Sequence, residues 1–209
     1  MQTHNGPAKR PNKLDFLQAV SGGALALFVA VHLLLESTVI VSPALANGIA
    51  WLLEETLIAH IVAPLVLLLV IFHFYIAARR MPLRSGELPT FLRHCRQLKE
   101  KDTCFWLVQV GTGVIILVFV FYHILLVMTN LPIEVARSSA RLHQGWVFFY
   151  LVFLPCVVLH SGIGVYRLGV KYGFCPQSGR ARWRKGVWTA IGCYLALGLL
   201  GLTRVWFLG

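Results

Sequence analysis

Five apolar segments, at roughly residues 14–35, 57–78, 104–129, 144–166 and 186–203, constrain this chain more than any other feature, because four of them contain no Asp, Glu, Lys or Arg. The first holds one charge, Asp15, at its edge. A helix rises about 1.5 Å per residue, so each segment is long enough to cross, or nearly cross, a hydrocarbon core of about 30 Å. With their flanks they predict an all-α chain, one membrane domain over residues 1–209 with spans at about 14–41, 57–79, 103–129, 143–168 and 185–207. A mean hydropathy of +0.72 with 13% charged residues excludes a water-soluble enzyme, a disordered chain and a nucleic-acid-binding domain.

The net charge of +11 is explained by topology. Lys9, Arg10 and Lys13 precede the first span. Arg79, Arg80, Arg84, Arg93, Arg96, Lys99 and Lys101 fill the link after the second, and Arg167, Lys171, Arg180, Arg182, Arg184 and Lys185 the link after the fourth. Sixteen of the nineteen basic residues thus fall on one side, leaving Arg137, Arg141 and Arg204 on the other. The positive-inside rule then predicts a cytoplasmic N-terminus and an outside, periplasmic C-terminus. The same basic links offer either a docking surface for cytoplasmic subunits or plain topogenic charge at lipid.

The basic start and first apolar run superficially resemble a signal peptide, but the run is longer than a usual h-region, so it is expected to be retained as a span. Five cysteines, Cys95, Cys104, Cys156, Cys175 and Cys193, make no C-x-x-C or haem-attachment pattern and read as free thiols or core fillers. No internal sequence repeat is evident.

Eight histidines stand out in so apolar a chain, since an ionisable group inside a bilayer is costly. His4 and His94 fall in polar segments, and His60 and His143 at the outer ends of spans. His32, His73, His123 and His160 lie deep, one on each of the first four spans. His73 precedes Arg79 by six residues and His160 precedes Arg167 by seven, which places both about 10 Å inside the basic boundary. His32 follows Lys13 by nineteen residues and His123 follows Lys101 by twenty-two, placing both about 30 Å from that side. Two pairs at two depths suit a b-type haem held by two imidazoles at each level, the coordination that favours electron transfer. Helix-to-helix hydrogen bonding accounts well for one such histidine and poorly for four at matched depths. Zinc is disfavoured, because no four close ligands cluster. Small residues at the 10 Å level, Ala19, Ser21, Gly22, Gly23, Gly111, Gly113, Gly162 and Gly164, either leave room for a flat macrocycle or serve helix packing.

LDFLQAVSG (14–22) leading to His32, FHFYIAARRMP (72–82), the stretch from Trp106 to His123 and LHSGIGVYRLGVKYG (159–173) together resemble a known family over nearly the whole chain. It is the dihaem cytochrome b membrane subunit of quinol:fumarate reductase and succinate:quinone oxidoreductase, in its single-polypeptide, five-helix form. The resemblance implies a transmembrane bundle enclosing two haem b groups. His73 and His160 would bind the proximal haem, nearer the cytoplasmic subunits, and His32 and His123 the distal one. It places Gln18, Ser21, Trp106 and Lys171 at the proximal haem pocket and its propionates, and Tyr150 and Arg141 beside the distal haem. Read without it, Trp106 is an interfacial aromatic and Lys171 a topogenic charge. The resemblance further implies anchoring of a flavoprotein and an iron–sulfur protein, menaquinol or menaquinone as substrate, residence in the bacterial inner membrane, and a homodimer of heterotrimers. The fumarate site lies on another subunit.

Quinone chemistry moves protons with electrons, so an acid near the outer level is sought. Glu54 stands at the family's separation from His32; Glu55 beside it and Glu36, one turn beyond His32, are further candidates, and a solvated loop acid is the plain alternative for Glu54. Some menaquinol-dependent members carry a Glu two residues before the fourth-span histidine as a proton route. Here that position is Val158, so that route is expected to be absent. Two other functions remain open from sequence: the cytochrome b anchor of a hydrogenase or formate dehydrogenase, and a haem-free transporter or structural anchor, although inverted repeats and broken helices are not evident.

Overall fold

The computed structural model describes residues 12–79, 81, 89, 93 and 101–208, with only the backbone at 101–103. Lys9, Arg10, His4, His94, Cys95 and most of the basic 80–101 link lie outside the described residues. All regular structure among the described residues is helical. In chain order it comprises α1 (Lys13–Glu36), α2 (Thr38–Val41), α3 (Pro43–Glu55), α4 (Ile58–Ala78), α5 (Lys101–Met128), α6 (Val135–Arg141), α7 (Val147–Lys171) and α8 (Arg180–Trp206). A π turn, Leu142–Trp146, joins α6 to α7.

Among the described residues, five stretches are long and apolar enough to cross a membrane: Lys13–Val41, Ile58–Ala78, Cys104–Met128, Val135–Lys171 and Gln177–Trp206. The fourth starts earlier than the apolar pattern suggests. Its polar first turns continue through the π turn, where Gly145 takes φ 98°, a left-handed backbone that glycine adopts without strain. Local chemistry sets the other ends. Asn12 accepts the Leu14 N–H at the start of α1, and Ser42 accepts the Leu45 N–H ahead of Pro43 at the start of α3. Large apolar side chains point outward along every span, Leu27 at 68% and Leu68 at 63% exposure among them. Such a surface requires lipid around it, and helices suit lipid because they satisfy their own backbone groups.

Contacts run from α1 to α4, α4 to α5, α5 to α7 and α7 back to α1, so the four histidine-bearing helices close a ring. The fifth span, α8, packs outside that ring on α7 and α1. Val158, Tyr166, Val187 and Ile191 form a buried cluster at the α7–α8 seam. Val158 therefore faces the fifth helix, and an acid there would be set among apolar neighbours.

Candidate functional site

The ring encloses a cavity of about 750 Å³ lined by His32, His73, His123 and His160 together, toward the upper end of the roughly 300–1,000 Å³ common for ligand sites. It is mostly apolar. Gln18, Trp106, Arg167 and Lys171 line its basic end, and Glu36, Arg141 and Tyr150 line its far end.

At the basic end, each histidine is seated on a neighbouring helix. The Ser21 hydroxyl of α1 lies 2.9 Å from His73 Nδ1 and itself donates to the Gln18 carbonyl. With its proton committed to that carbonyl, Ser21 Oγ accepts from Nδ1–H. On the opposite side, His160 Nδ1 donates to the Gln109 carbonyl of α5 at 2.9 Å, with the Thr112 hydroxyl at 3.2 Å. A carbonyl has no proton to give, so Nδ1 carries it and the neutral ring keeps its lone pair on Nε2. Glycine makes both seats possible: a Cβ on Gly22 would lie 2.8 Å from His73 Cε1, and one on Gly113 3.0 Å from His160 Cε1. His73 and His160 line the same cavity from opposite helices, α4 and α7.

At the far end, the His32 and His123 rings are 6.1 Å apart, centroid to centroid. Two imidazoles sharing one metal ion through ring nitrogens at about 2 Å need centroids roughly 6 Å apart. His32 stacks on Phe28 of its own helix at 5.5 Å, and His123 is edged by Tyr150 and Phe153. The Tyr150 hydroxyl is 3.4 Å from His123 Nδ1. Arg141 donates to Ser138 at 2.9 Å and borders the same space.

The residues fit haem on four grounds: anchored Nδ1 atoms leaving Nε2 free, glycine floors beneath two rings, the far-end ring spacing, and a buried Gln18 Oε1 without a hydrogen-bond partner at the cavity wall. Lys171 Nζ sits 3.4 Å from Asp15 Oδ2, and Arg79 3.7 Å from the other oxygen, so Asp15, 15% exposed, ties α1 to α4 and α7 at the basic mouth. Zinc-like clusters of three or more His, Cys, Asp or Glu are absent among the described residues.

The outer acids separate. Glu36 lines the cavity, whereas Glu54 Oε1 accepts the Ile133 N–H at 2.7 Å and pins the α5–α6 connection to α3; neither Glu54 nor the exposed Glu55 is at the cavity wall. Asn47 does the same for Val135, at 2.9 Å. Sequence reading passes over three participants: Gln109, which also accepts from Arg167 at 2.6 Å; Thr112; and Glu134, a cavity-lining acid paired with Arg137. It also passes over a short internal repeat that locates the first two. Gln18-x-x-Ser21-Gly22 with His32 ten residues after the glycine is matched by Gln109-x-x-Thr112-Gly113 with His123 ten residues after it. His73-x-x-Ile76-Ala77-x-x-Arg80 is likewise matched by His160-x-x-Ile163-Gly164-x-x-Arg167, and both isoleucines are buried.

A sequence model of the family described as succinate dehydrogenase/fumarate reductase transmembrane subunit matches residues 90–199. Fumarate reductase cytochrome b subunits from two strains of Helicobacter pylori are 30% and 31% identical over 198 residues, each alignment covering 90% of this chain and 77% of the relative. The fumarate reductase cytochrome b subunit of Wolinella succinogenes is 29% identical over 210 residues, covering 92% of this chain and 81% of that one.

Proposed function

Since the chain belongs to the succinate dehydrogenase/fumarate reductase transmembrane subunit family, we propose that it is the cytochrome b membrane anchor of a quinol:fumarate reductase, passing electrons from menaquinol to flavoprotein and iron–sulfur subunits on the cytoplasmic side. The observation that carries this reading is the gathering of four histidines, one from each helix of the ring, around one cavity. His73 and His160 hold the proximal haem b, His32 and His123 the distal one. Bound there, two such groups would supply reversible one-electron Fe(III)/Fe(II) chemistry, with His73 and His160 available to hold one and His32 and His123 the other.

The chain's own part is positioning and charge. Gln18, Ser21 and Trp106 line or border the proximal pocket, and Lys171 meets carboxylates at its mouth with a charge-assisted bond. Arg141 and Tyr150 do the corresponding work at the distal level. Menaquinol gives up two protons for two electrons, and acids at the far end take them up: of the three candidates Glu36 lines the cavity, while Glu54 and Glu55 hold the neighbouring α3 position. The membrane is the bacterial cytoplasmic membrane, with the N-terminus and basic links inside and the C-terminus periplasmic, and the heterotrimer pairs as a homodimer.

Reduced-minus-oxidised absorbance spectra of the purified complex, with haem counted per polypeptide, test this in wild type and in His→Ala variants at 32, 73, 123 and 160. Two b haems are expected, one lost with His73 or His160 and the other with His32 or His123. A folded, assembled wild-type complex without haem rejects the reading.

A further inference from the structure

Two hydroxyl residues occupy the same place in the two halves of the repeat. Ser21 and Thr112 each stand three residues after a glutamine, directly before a glycine and eleven residues before a far-end histidine on the same helix. Each meets Nδ1 of the basic-end histidine on the next helix, at 2.9 Å for Ser21 and His73 and 3.2 Å for Thr112 and His160. Each hydroxyl also reaches the carbonyl of the glutamine three residues before it, Ser21 that of Gln18 and Thr112 that of Gln109, both at 3.2 Å. The helix pair α1–α4 thus repeats as α5–α7 around the cavity, with each half giving one histidine to each level.

We propose that Ser21 and Thr112 are equivalent positioning residues, which share the Nδ1–H of His73 and His160, hold their ring planes and thereby tune the redox potential of the proximal haem. The proposal rests on the dihaem reading above. An imidazole whose Nδ1–H is shared with oxygen is a stronger donor through Nε2. Stronger donation favours Fe(III), so removing the acceptor raises the midpoint potential of that haem. Ser21 has the shorter contact and is expected to have the larger effect. The glycine after each hydroxyl lets the ring approach the helix backbone closely enough for the contact to form.

The test uses the assembled complex with Ser21→Ala, Thr112→Val and the hydroxyl-retaining Ser21→Thr and Thr112→Ser, reading haem per polypeptide, midpoint potentials and low-temperature electron paramagnetic resonance. The expected result is an upward shift of one midpoint and an altered low-spin signal for that haem in Ser21→Ala, a smaller change in Thr112→Val, and wild-type values in the hydroxyl-retaining pair. Loss of the proximal haem in Ser21→Ala that Ser21→Thr restores supports the same assignment. Unchanged potentials and signals at full occupancy, or equal changes in hydroxyl-free and hydroxyl-retaining variants, overturn it. A wild-type complex lacking two haems would instead reject the underlying reading.

Discussion

At the basic end of the bundle both imidazoles rest on a glycine and give Nδ1–H to oxygens of the adjacent helix, whereas at the far end His32 stacks on Phe28 and His123 meets the Tyr150 hydroxyl at 3.4 Å. No hydrogen-bond partner for His32 is found among the described residues. The first pair is oriented by backbone and hydroxyl groups whose positions follow from helix packing. The second is oriented by aromatic rings, with Phe119, Phe149 and Phe153 packed on one another beside it. Hydrogen bonds fix a direction within tens of degrees, while ring packing tolerates several. The far end, where the acids gather, is therefore the more adaptable of the two levels.

The largest effect is expected from filling the glycine floors. Gly22→Val and Gly113→Val drive carbon into the His73 and His160 rings, and each is expected to remove the proximal haem while leaving the distal one. Gly23→Ala and Gly111→Ala meet nothing within 4 Å and should keep both. Haem counted by absorbance decides it, and loss of both haems from Gly113→Val would mean that the two levels are not independent.

Next in size is the far-end acid. Glu54→Gln keeps a carbonyl that can accept the Ile133 N–H but removes the proton acceptor, so a catalytic role predicts menaquinol oxidation lower by about 100-fold with both haems intact. Glu36→Gln, at the cavity wall, is the companion measurement. If neither variant slows quinol oxidation, the protons leave by Glu134 or by water. Should Glu54→Gln be active and Glu54→Ala not, the residue serves only to hold the α5–α6 connection.

Much of the fold and of the histidine pairing is legible in the sequence, for physical reasons. Runs of uncharged apolar residues admit one solution in lipid, and a constant rise per residue turns position in a span into depth, so the pairing of His73 with His160 and of His32 with His123 follows from counting. What counting does not give is rotation about each helix axis. Ser21, Gln109 and Thr112 meet imidazoles only because two helices turn particular faces to each other; in sequence, Thr112 looks like any threonine bonding back to its own helix, as it also does to Val108. The repeat that marks them survives at few positions amid interchangeable Val, Leu and Ile. Glu54 stands out by its separation from His32, yet its partner is a backbone amide seventy-nine residues away, which no local pattern announces.

A smaller effect is expected from Tyr150→Phe, which removes the hydroxyl beside His123 and keeps the ring edged against it. A contact of 3.4 Å is at the weak limit of hydrogen bonding, so the distal midpoint should move less than the proximal one moves in Ser21→Ala. An equal or larger shift would show that the far-end ring is also fixed by a hydrogen bond, and the contrast between levels would fail.

The smallest effect belongs to Asp15→Asn at the basic mouth. Asp15 holds Lys171 at 3.4 Å and Arg79 at 3.7 Å, with the two cations 40% and 33% exposed, so water and salt screen both pairs and their loss should cost about 1 kcal/mol or less. The Tyr172 hydroxyl donates to the Asp15 backbone carbonyl, a contact the substitution spares, so α1 stays tied to the end of α7. Freed from Asp15, Lys171 is more available to carboxylates inside the cavity. The variant should therefore lower the thermal midpoint slightly in the apoprotein while leaving or improving retention of the proximal haem, with the distal haem untouched. Thermal melts with and without haem, at low and high salt, separate the two contributions. If Asp15→Asn loses proximal haem as readily as Lys171→Ala does, Asp15 orders the site rather than competing for its lysine, and the basic end depends on its charges as well as on its glycines and hydroxyls.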